Sequence, residues 1–190
     1  AFRPLLRSWD RSVSSAERID ALIGNSRFIA GRIRQAYGRE AKVVYPFADL
    51  RRFTRPRQAG KDYLMVGAFA PYKRFDLAIE AFNRLKLPLV IVGGGQDEAK
   101  LRRVAGSTIR FLGALPNDDI AGLYATCKAF VFPAEEDFGI TPLEAMASGA
   151  PVIAYGVGGA METVTPETGL FFRPQTAEAI MDAVVRFERE

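Results

Sequence analysis

Two glutamates, Glu136 and Glu144, are the side chains of this sequence best placed to do chemistry. Glu136 follows the apolar run 129–132, which predicts a buried strand. Glu144 lies in a segment that Thr141 and Pro142 are suited to begin as a helix. The two carboxylates therefore flank one strand-to-helix turn. In a parallel α/β sheet such turns lie at the carboxyl ends of the strands, where ligands bind and helix N-termini favour anions.

The same glutamates also have a purely structural interpretation. Thr141 and Glu144 form the T-x-x-E pattern of a capping box, with Glu144 at the third helical position. The acidic run of Glu135, Glu136 and Asp137 is typical of a solvated turn, and it could also be considered as a hard-cation site. The residues taken alone leave these possibilities open.

A second group of candidates lies in the loop from Gly67 to Lys73 and Arg74, which joins a predicted strand to a predicted helix. Two cations at the carboxyl end of a strand are suited to hold a diphosphate. They would equally suit a basic first helical turn that faces water. The triplet Gly93-Gly94-Gly95 also follows a strand, but Glu98 replaces the last glycine of the dinucleotide fingerprint, so no nicotinamide cofactor is expected.

The elements that position these residues alternate regularly after residue 61. Short apolar runs predict strands, and amphipathic segments between them predict helices, which is the pattern of a parallel sheet covered on both faces. The predicted strands are 63–66, 89–92, 109–112, 129–132, 152–154 and 170–172, and the predicted helices are 75–85, 97–105, 118–126, 142–148, 160–164 and 176–188. The predicted fold class is α/β, a Rossmann-like doubly wound parallel sheet.

The first third of the chain has a different character. Short helices and strands are expected in residues 1–45, including a helix capped by Ser26 and ended by Gly38, and residues 46–60 are predicted to be an Arg- and Pro-rich linker. Residues 1–60 carry 13 Arg and Lys against 5 acids, whereas residues 61–190 carry 13 against 17. The basic side could meet anionic lipid or an acidic partner domain. Nucleic acid is not expected, since no aromatic-interleaved basic platform accompanies the charge.

Composition excludes several classes of chemistry. The 190 residues are 48% hydrophobic, which suffices for a core, and no apolar run reaches the length of a membrane span. The absence of histidine excludes Ser-His, Cys-His and His-ligated metal sites from this chain. Cys127 is the single cysteine, so no internal disulfide can form and a reducing, cytoplasmic location is expected.

A family resemblance joins these observations. The stretch E-D-F-G-I-T-P-L-E from Glu136 to Glu144 resembles the E-x7-E signature of the retaining glycosyltransferases of the GT-B fold, family 4, and P-V-I-A-Y-G-V-G-G-A-M-E after it is similar as well. The segments I-D-A-L-I-G-N-S-R-F and V-V-Y-P-F-A-D-L-R-R-F resemble the end of that family's amino-terminal domain and its crossover. The resemblance implies that residues 1–45 are the tail of the acceptor domain and residues 61–190 the nucleotide-sugar-binding domain.

The resemblance also implies roles for individual residues. Lys73 neutralises the leaving diphosphate, Glu136 holds the donor sugar with the backbone around Phe138, Gly139 and Ile140, and Glu144 binds the ribose hydroxyls. Gly67, Arg74 and Leu115 complete the implied donor site, with Leu115 next to the nucleobase. The family usually has an arginine where this chain has Ala68, so Arg74 or the other domain would supply the missing charge. A metal-binding D-x-D loop is absent, and neither metal nor cofactor is expected.

The implied reaction transfers a hexosyl unit, with retention, from a nucleotide diphosphate sugar to a saccharide or lipid-linked acceptor. The segments P-Y-K-R-F-D-L-A-I-E-A-F and E-D-F-G-I-T-P-L-E-A-M-A are mannosyltransferase-like, which favours GDP-mannose as the donor. Expected partners are this donor, the acceptor and the chain's own amino-terminal GT-B domain, with peripheral membrane contact through the basic third. The alternative is a non-catalytic module that binds a sugar nucleotide. An epimerase of the same fold is disfavoured because such enzymes use histidine.

Overall fold

The computed structural model describes residues 2–189. The chain forms two compact units, one ending at Pro46 and the other beginning at Phe47. In the first unit, β1 (Ile23–Gly24) and β2 (Lys42–Val43) pair in parallel beside α1 (Arg3–Val13) and α2 (Arg27–Tyr37).

The ends of α2 agree with the sequence signals. The Ser26 hydroxyl accepts a hydrogen bond from the Ile29 amide at 3.0 Å, and Gly38, with a φ of 65°, ends the helix in the left-handed conformation. The helix α1 packs on α2 through polar groups, since the Tyr37 hydroxyl donates to Asp10 at 2.8 Å. Its apolar side chains point outward, and Trp9 is 65% exposed.

The second unit contains a six-stranded, wholly parallel sheet. Its strands are β3 (Tyr63–Val66), β4 (Leu89–Val92), β5 (Ile109–Gly113), β6 (Phe130–Phe132), β7 (Val152–Tyr155) and β8 (Gly169–Phe172). Its helices are α3 (Phe75–Leu85), α4 (Glu98–Val104), α5 (Asn117–Thr126), α6 (Ile140–Ala147), α7 (Ala160–Thr163) and α8 (Ala177–Phe187). The predicted fold class is confirmed, and the strand limits of β3 and β4 agree with the apolar runs of the sequence.

The strand order, β5-β4-β3-β6-β7-β8, determines where a ligand can bind. The chain moves outward from β3 to β5, returns to the centre at β6 and then moves outward on the other side. The loops after β3 and β6 therefore diverge and leave a crevice at the carboxyl edge of the sheet, which is the topological switch point of doubly wound folds.

Two hydrophobic layers hold this sheet. Tyr63, Met65 and Ile91 belong to the layer that includes α3 and α8, whereas Leu64 and Val90 belong to the layer that includes α5 and α6. All five side chains are at most 3% exposed, because consecutive strand residues point to opposite faces and both faces are covered. Full burial of each large apolar side chain stabilises the fold by about 1.5–3 kcal/mol.

Residues 47–60, which we call the strap, lie within the predicted linker of residues 46–60 and form part of the second unit. The Arg57 guanidinium donates to the carbonyl oxygens of Ala125, at 2.9 Å, and Lys128, at 3.1 Å. The Gly60 amide donates to the Thr126 carbonyl at 2.8 Å. The arginine that suggested a solvated linker is thus used to satisfy carbonyl groups at the end of α5 and just after it.

The predicted capping box at the start of α6 is wrong. The helix begins at Ile140 after Gly139, which has a φ of 88°, and no side chain caps it. Thr141 is therefore already inside the first turn. Glycine enters this left-handed conformation without the steric cost that other residues incur, and it starts the helix two residues early. Glu144 is consequently not engaged in a cap and can serve another purpose.

Candidate active site

The crevice between β3 and β6 is lined by the two loops that contain the predicted residues. The loop after β3 contains Gly67 and a short 3-10 turn, Pro71–Lys73, before Arg74 and α3. The loop after β6 contains Glu136 and leads into α6. Because all six strands are parallel, both loops emerge at the same edge of the sheet. The fold thus brings together residues that are 63 positions apart in the sequence.

The glycine triplet positions the first of these loops. A Cβ atom on Gly93 would lie 1.9 Å from the Gly67 carbonyl oxygen, and one on Gly95 would lie 2.8 Å from the Phe69 nitrogen. The Phe69 amide donates to the Gly94 carbonyl at 2.9 Å. Glycine is therefore required here for close approach of two backbones. The triplet thus allows the backbone after β4 to pack directly against the loop after β3.

Lys73 and Glu136 form an ion pair across the crevice. Their side chains are only 17% and 16% exposed, so both charges are largely withdrawn from water. Burial lowers the pKa of Lys73 below its ordinary value. The Lys73 ammonium also lies 5.4 Å from the centroid of the Tyr72 ring. The chain thus holds one cation and one carboxylate together where the sheet topology predicts a ligand.

Arg74 is engaged elsewhere. Its guanidinium makes two 3.1 Å contacts with the carboxylate of Asp76, and it lies 3.5 Å from the side-chain oxygen of Gln175. The hydrogen bond with Asp76 raises the pKa of Arg74. Gln175 in turn donates to the Pro133 carbonyl at 2.8 Å. Arg74 therefore links the loops after β3 and β8 instead of pointing, like Lys73, at Glu136.

Two glycines of the loop after β7 hold the backbone of Glu136. The Gly159 amide donates to the Glu136 carbonyl at 2.8 Å, and Glu136 forms an isolated bridge with Gly158. A Cβ on Gly158 would lie 2.5 Å from the Glu136 carbonyl oxygen, and one on Gly159 would lie 2.3 Å from the Phe138 Cα. Neither glycine has room for a side chain, and their close packing fixes the loop that contains the carboxylate.

Glu144 lies in α6, which follows this loop, and its side chain is half-buried. The Tyr124 hydroxyl donates to its Oε2 atom at 3.3 Å. Burial raises the pKa of Glu144, while the Tyr124 hydrogen bond and the nearby positive charge of Arg52 oppose that shift. A carboxylate in this setting is a stronger hydrogen-bond acceptor for a ligand than one in water, since fewer water molecules compete for it.

The remaining predicted residues occupy different depths. Phe138 is buried at 5% exposure and Gly139 is buried beside it, whereas Ile140 is 46% exposed at the first position of α6. Leu115 lies beyond β5 and packs partly buried against the α5 and α6 layer. The structure thus brings Lys73, Glu136 and the start of α6 together, and it leaves Leu115 two strands away from β3.

The described residues offer no ready metal site. Within residues 2–189, no group of three or more His, Cys, Asp or Glu side chains is arranged to hold a metal ion. Glu135 and Asp137 are exposed on either side of Glu136.

Sequence reasoning missed Tyr124, Arg52 and Gln175. Tyr124 gave a usable signal, because it lies on the buried side of α5 with Ala121 and Ala125, and a buried tyrosine hydroxyl needs a hydrogen-bond partner. Arg52 and Gln175 gave none, because their roles depend on how the strap and the loop after β8 fold back.

A sequence profile described as glycosyl transferases group 1 matches residues 47–190, about three quarters of the chain. The chain belongs to this family. The matched region begins at the residue where the second structural unit begins, so the family resemblance and the doubly wound sheet refer to the same part of the molecule.

Curated relatives of this group 1 glycosyl transferase include mannosyltransferases. O-antigen chain mannosyltransferase C of Escherichia coli is 31% identical in an alignment 186 positions long that covers 87% of this chain and 50% of that protein. A GDP-mannose-dependent alpha-mannosyltransferase of Mycolicibacterium smegmatis is 41% identical over 122 residues, 63% of this chain and 32% of that protein. The chain thus spans about half the length, or less, of these relatives.

Solved structures have the same fold. Sucrose-phosphate synthase of Thermosynechococcus elongatus superimposes with a TM-score of 0.83 at 26% identity, over 97% of this chain and 52% of that one. HepE of Anabaena, solved in complex with UDP and glucose, gives a TM-score of 0.81 at 24% identity, over 94% of this chain and 56% of that one. The predicted Rossmann-like fold of a GT-B carboxy-terminal domain is therefore confirmed. None of the helices in residues 2–189 is both long and apolar enough to span a bilayer.

Proposed function

We propose that this chain is the donor-binding half of a retaining glycosyltransferase. The complete enzyme, to which this chain contributes the donor site, moves a hexosyl unit, a mannosyl unit by preference, from a nucleotide diphosphate sugar to a saccharide or lipid-linked acceptor. The observation that carries the proposal is the pairing of Lys73 with Glu136 across the β3 and β6 loops, in front of the helix that contains Glu144. A cation, a carboxylate and a helix N-terminus in one crevice match the charge pattern of a diphosphate joined to a hydroxylated sugar.

Lys73 acts on the leaving group. As the bond between the anomeric carbon and the diphosphate breaks, negative charge grows on the diphosphate oxygens. An ammonium group held in a largely water-excluded crevice stabilises that charge in the transition state more than in the ground state. The low exposure of Lys73 supports this role, because little reorganisation of water is then needed.

Glu136 and Glu144 hold the two ends of the donor. The Glu136 carboxylate accepts hydrogen bonds from donor-sugar hydroxyls, together with backbone groups around Phe138 to Ile140. Glu144 accepts from the ribose hydroxyls, one turn further into the helix. Retention at the anomeric carbon rests on the resemblance to retaining family 4 enzymes, and the choice of mannose and guanine rests on relatives whose names specify them.

The acceptor pocket belongs to a partner half. The proposed donor machinery lies within the second unit, and the chain covers about half of its relatives' length, so we expect a complementary amino-terminal GT-B domain to bind the acceptor. We propose that donor binding needs neither metal nor cofactor. A cytoplasmic location, with peripheral membrane contact through the basic residues of the first third, is part of the same proposal.

Calorimetric titration of the chain with GDP, UDP and ADP, with and without EDTA, tests the proposal. We expect one nucleoside diphosphate to bind regardless of EDTA. Glu144→Gln and Lys73→Met should each weaken binding about tenfold or more, since each removes a charge-assisted contact. No binding by the wild-type chain to any of the three would contradict the proposal. Transfer of mannose by the complete two-domain protein, and none by a Lys73→Met form that still binds the acceptor, would distinguish an enzyme from a binding module.

A further inference from the structure

Tyr124 is a buried polar residue that the proposed mechanism does not yet use. It lies near the end of α5, and its side chain has 0% exposure. Its hydroxyl donates to Glu144 Oε2 at 3.3 Å, and this carboxylate is its hydrogen-bond partner in the structure. Burial and the negative charge of Glu144 both raise the pKa of Tyr124, so the hydroxyl stays protonated and remains a donor.

The ring of Tyr124 is held from two sides. Phe130 of β6 meets it edge-on at 5.5 Å between centroids, and Phe53 of the strap meets it edge-on at 6.3 Å. Such contacts restrict rotation of the ring about its side-chain bonds. The direction in which the hydroxyl points is therefore determined by the sheet on one side and by the strap on the other.

Glu144 is flexible by comparison. A glutamate side chain has three rotatable bonds, and its terminal rotation is broad. The Oε2 atom of Glu144 accepts the hydrogen bond from Tyr124, and Oε1 takes no part in that bond. The charged group that acts on this carboxylate from the strap is Arg52, and Tyr124 acts on it from α5. A rigid donor that holds one oxygen leaves the other oxygen available to a ligand.

We propose that Tyr124 is a positioning residue for the donor site. By holding Oε2 it orients Oε1 of Glu144 toward the vicinal hydroxyls of a ribonucleoside diphosphate. This proposal rests on the proposed function, since it concerns the same site. The bond can also shorten when the ligand immobilises the carboxylate, as hydrogen bonds in free sites commonly do. Tyr124 thereby contributes to selection of ribose over sugars that lack the two hydroxyls.

The test compares Tyr124→Phe with the wild-type chain by calorimetry, using GDP and 2′,3′-dideoxy-GDP. The variant keeps the ring and removes only the donor. We expect GDP to bind about 5- to 10-fold more weakly, and dideoxy-GDP to bind both chains equally, because it has no hydroxyls for Glu144 to accept from. The pH below which GDP binding is lost should also rise in the variant, since the Tyr124 bond lowers the pKa of Glu144.

Tyr63→Phe is the matched control. Tyr63 is also fully buried, and its hydroxyl also donates to a glutamate, Glu188, at 2.6 Å. That pair lies at the start of β3, the opposite edge of the sheet from the crevice. This control should change thermal stability without changing GDP affinity. In a double-mutant cycle, Tyr124→Phe should have little further effect once Glu144 is replaced by Gln.

The outcomes separate this inference from the proposed function. If the wild-type chain binds none of GDP, UDP and ADP, the proposed function fails. If the wild-type chain binds GDP, two results refute the positioning role. One is that the Tyr124→Phe variant binds GDP as tightly as the wild type does, and the other is that its affinity for dideoxy-GDP falls by the same factor as its affinity for GDP.

A second measurement needs no substitution at Tyr124. The six tyrosines can be labelled with 3-fluorotyrosine and followed by fluorine NMR. One resonance should move both in the Glu144→Gln chain and on addition of GDP to the wild type, and it should move less with dideoxy-GDP. If no resonance responds to both changes, Tyr124 does not report on the carboxylate and the inference is refuted.

Discussion

Replacing Glu136 with Gln should tighten the binding of a nucleoside diphosphate, although Glu136 belongs to the proposed donor site. In the structure Lys73 is paired with Glu136, so Lys73 must leave that carboxylate before it can neutralise a diphosphate. A nucleoside diphosphate without its sugar has no sugar hydroxyls that could bond to Glu136 in place of Lys73. The carboxylate then competes with the ligand for the same cation, and its removal should favour the ligand.

The burial of the pair sets the magnitude. Exposed ion pairs contribute about 0.2–1 kcal/mol, whereas loss of one partner of a buried pair costs about 3–5 kcal/mol. The side chains of Lys73 and Glu136 are 17% and 16% exposed, and glutamine retains an oxygen that can accept from the ammonium group. We therefore expect a gain of about 1–2 kcal/mol, or about 5- to 30-fold in Kd for GDP.

The assay is calorimetric titration of the wild-type and Glu136→Gln chains with GDP and with GDP-mannose. Glu178→Gln is the control, because it makes the same change in net charge at an exposed ion pair with Arg84, outside the two loops that line the crevice. That control should leave the Kd for GDP unchanged. For GDP-mannose, the affinity of the Glu136→Gln variant should rise less than it does for GDP, or should fall, since the sugar loses its carboxylate partner.

Weaker GDP binding by Glu136→Gln would refute this reasoning. It would mean that Glu136 positions Lys73 for the diphosphate rather than competing with it. Equal tightening by Glu178→Gln would also count against it, because the effect would then be one of net charge.

Three further outcomes are expected. Arg74→Met should weaken GDP binding less than about threefold in calorimetry, because Asp76 and Gln175 already engage the Arg74 guanidinium. A larger loss of affinity would show that Arg74 contacts the ligand. In urea unfolding, Gly159→Ala should lower the free energy of unfolding by about 1–3 kcal/mol, since the new Cβ would lie 2.3 Å from the Phe138 Cα. Gly31→Ala, whose Cβ would have no atom within 4 Å, should raise the free energy of unfolding slightly. Hydrogen bonds from Lys128 and Tyr63 lower the pKa of Glu188, so its stabilising contribution should be present above about pH 4.3 and be lost as the pH falls through the lower folded value. Glu188→Gln should therefore lower Tm at about pH 7, and the difference from the wild type should shrink as the pH is lowered below about 4.3.

The parts of the fold that depend on local patterns were predictable from the sequence. The runs Tyr63–Val66 and Leu89–Val92 are apolar throughout, and buried parallel strands have that composition. The caps of α2 and α8 follow from single residues, Ser26 and Thr176. The alternation of strands and helices then restricts the sheet to a doubly wound topology.

The parts that depend on long-range contacts were not predictable. Lys73 and Glu136 were each expected in the site from the family resemblance, but nothing in either segment shows that they pair with each other. The strap was predicted to be a linker because Arg and Pro are typical of solvated segments. Its Arg57 instead donates to the carbonyl groups of Ala125 and Lys128. These partners are 68 and 71 positions away in the sequence, so only the folded structure identifies them.

The packing of the strap also determines where two related transferases can exchange halves. A junction after residue 60 would separate Phe53 and Arg57 from the sheet they evolved with, and it would set a foreign segment against Tyr124 and the carbonyl groups near the end of α5. A junction between Pro46 and Phe47 transfers the strap together with its own sheet. Chimeras that pair one donor specificity with another acceptor specificity should therefore fold best when they are joined there.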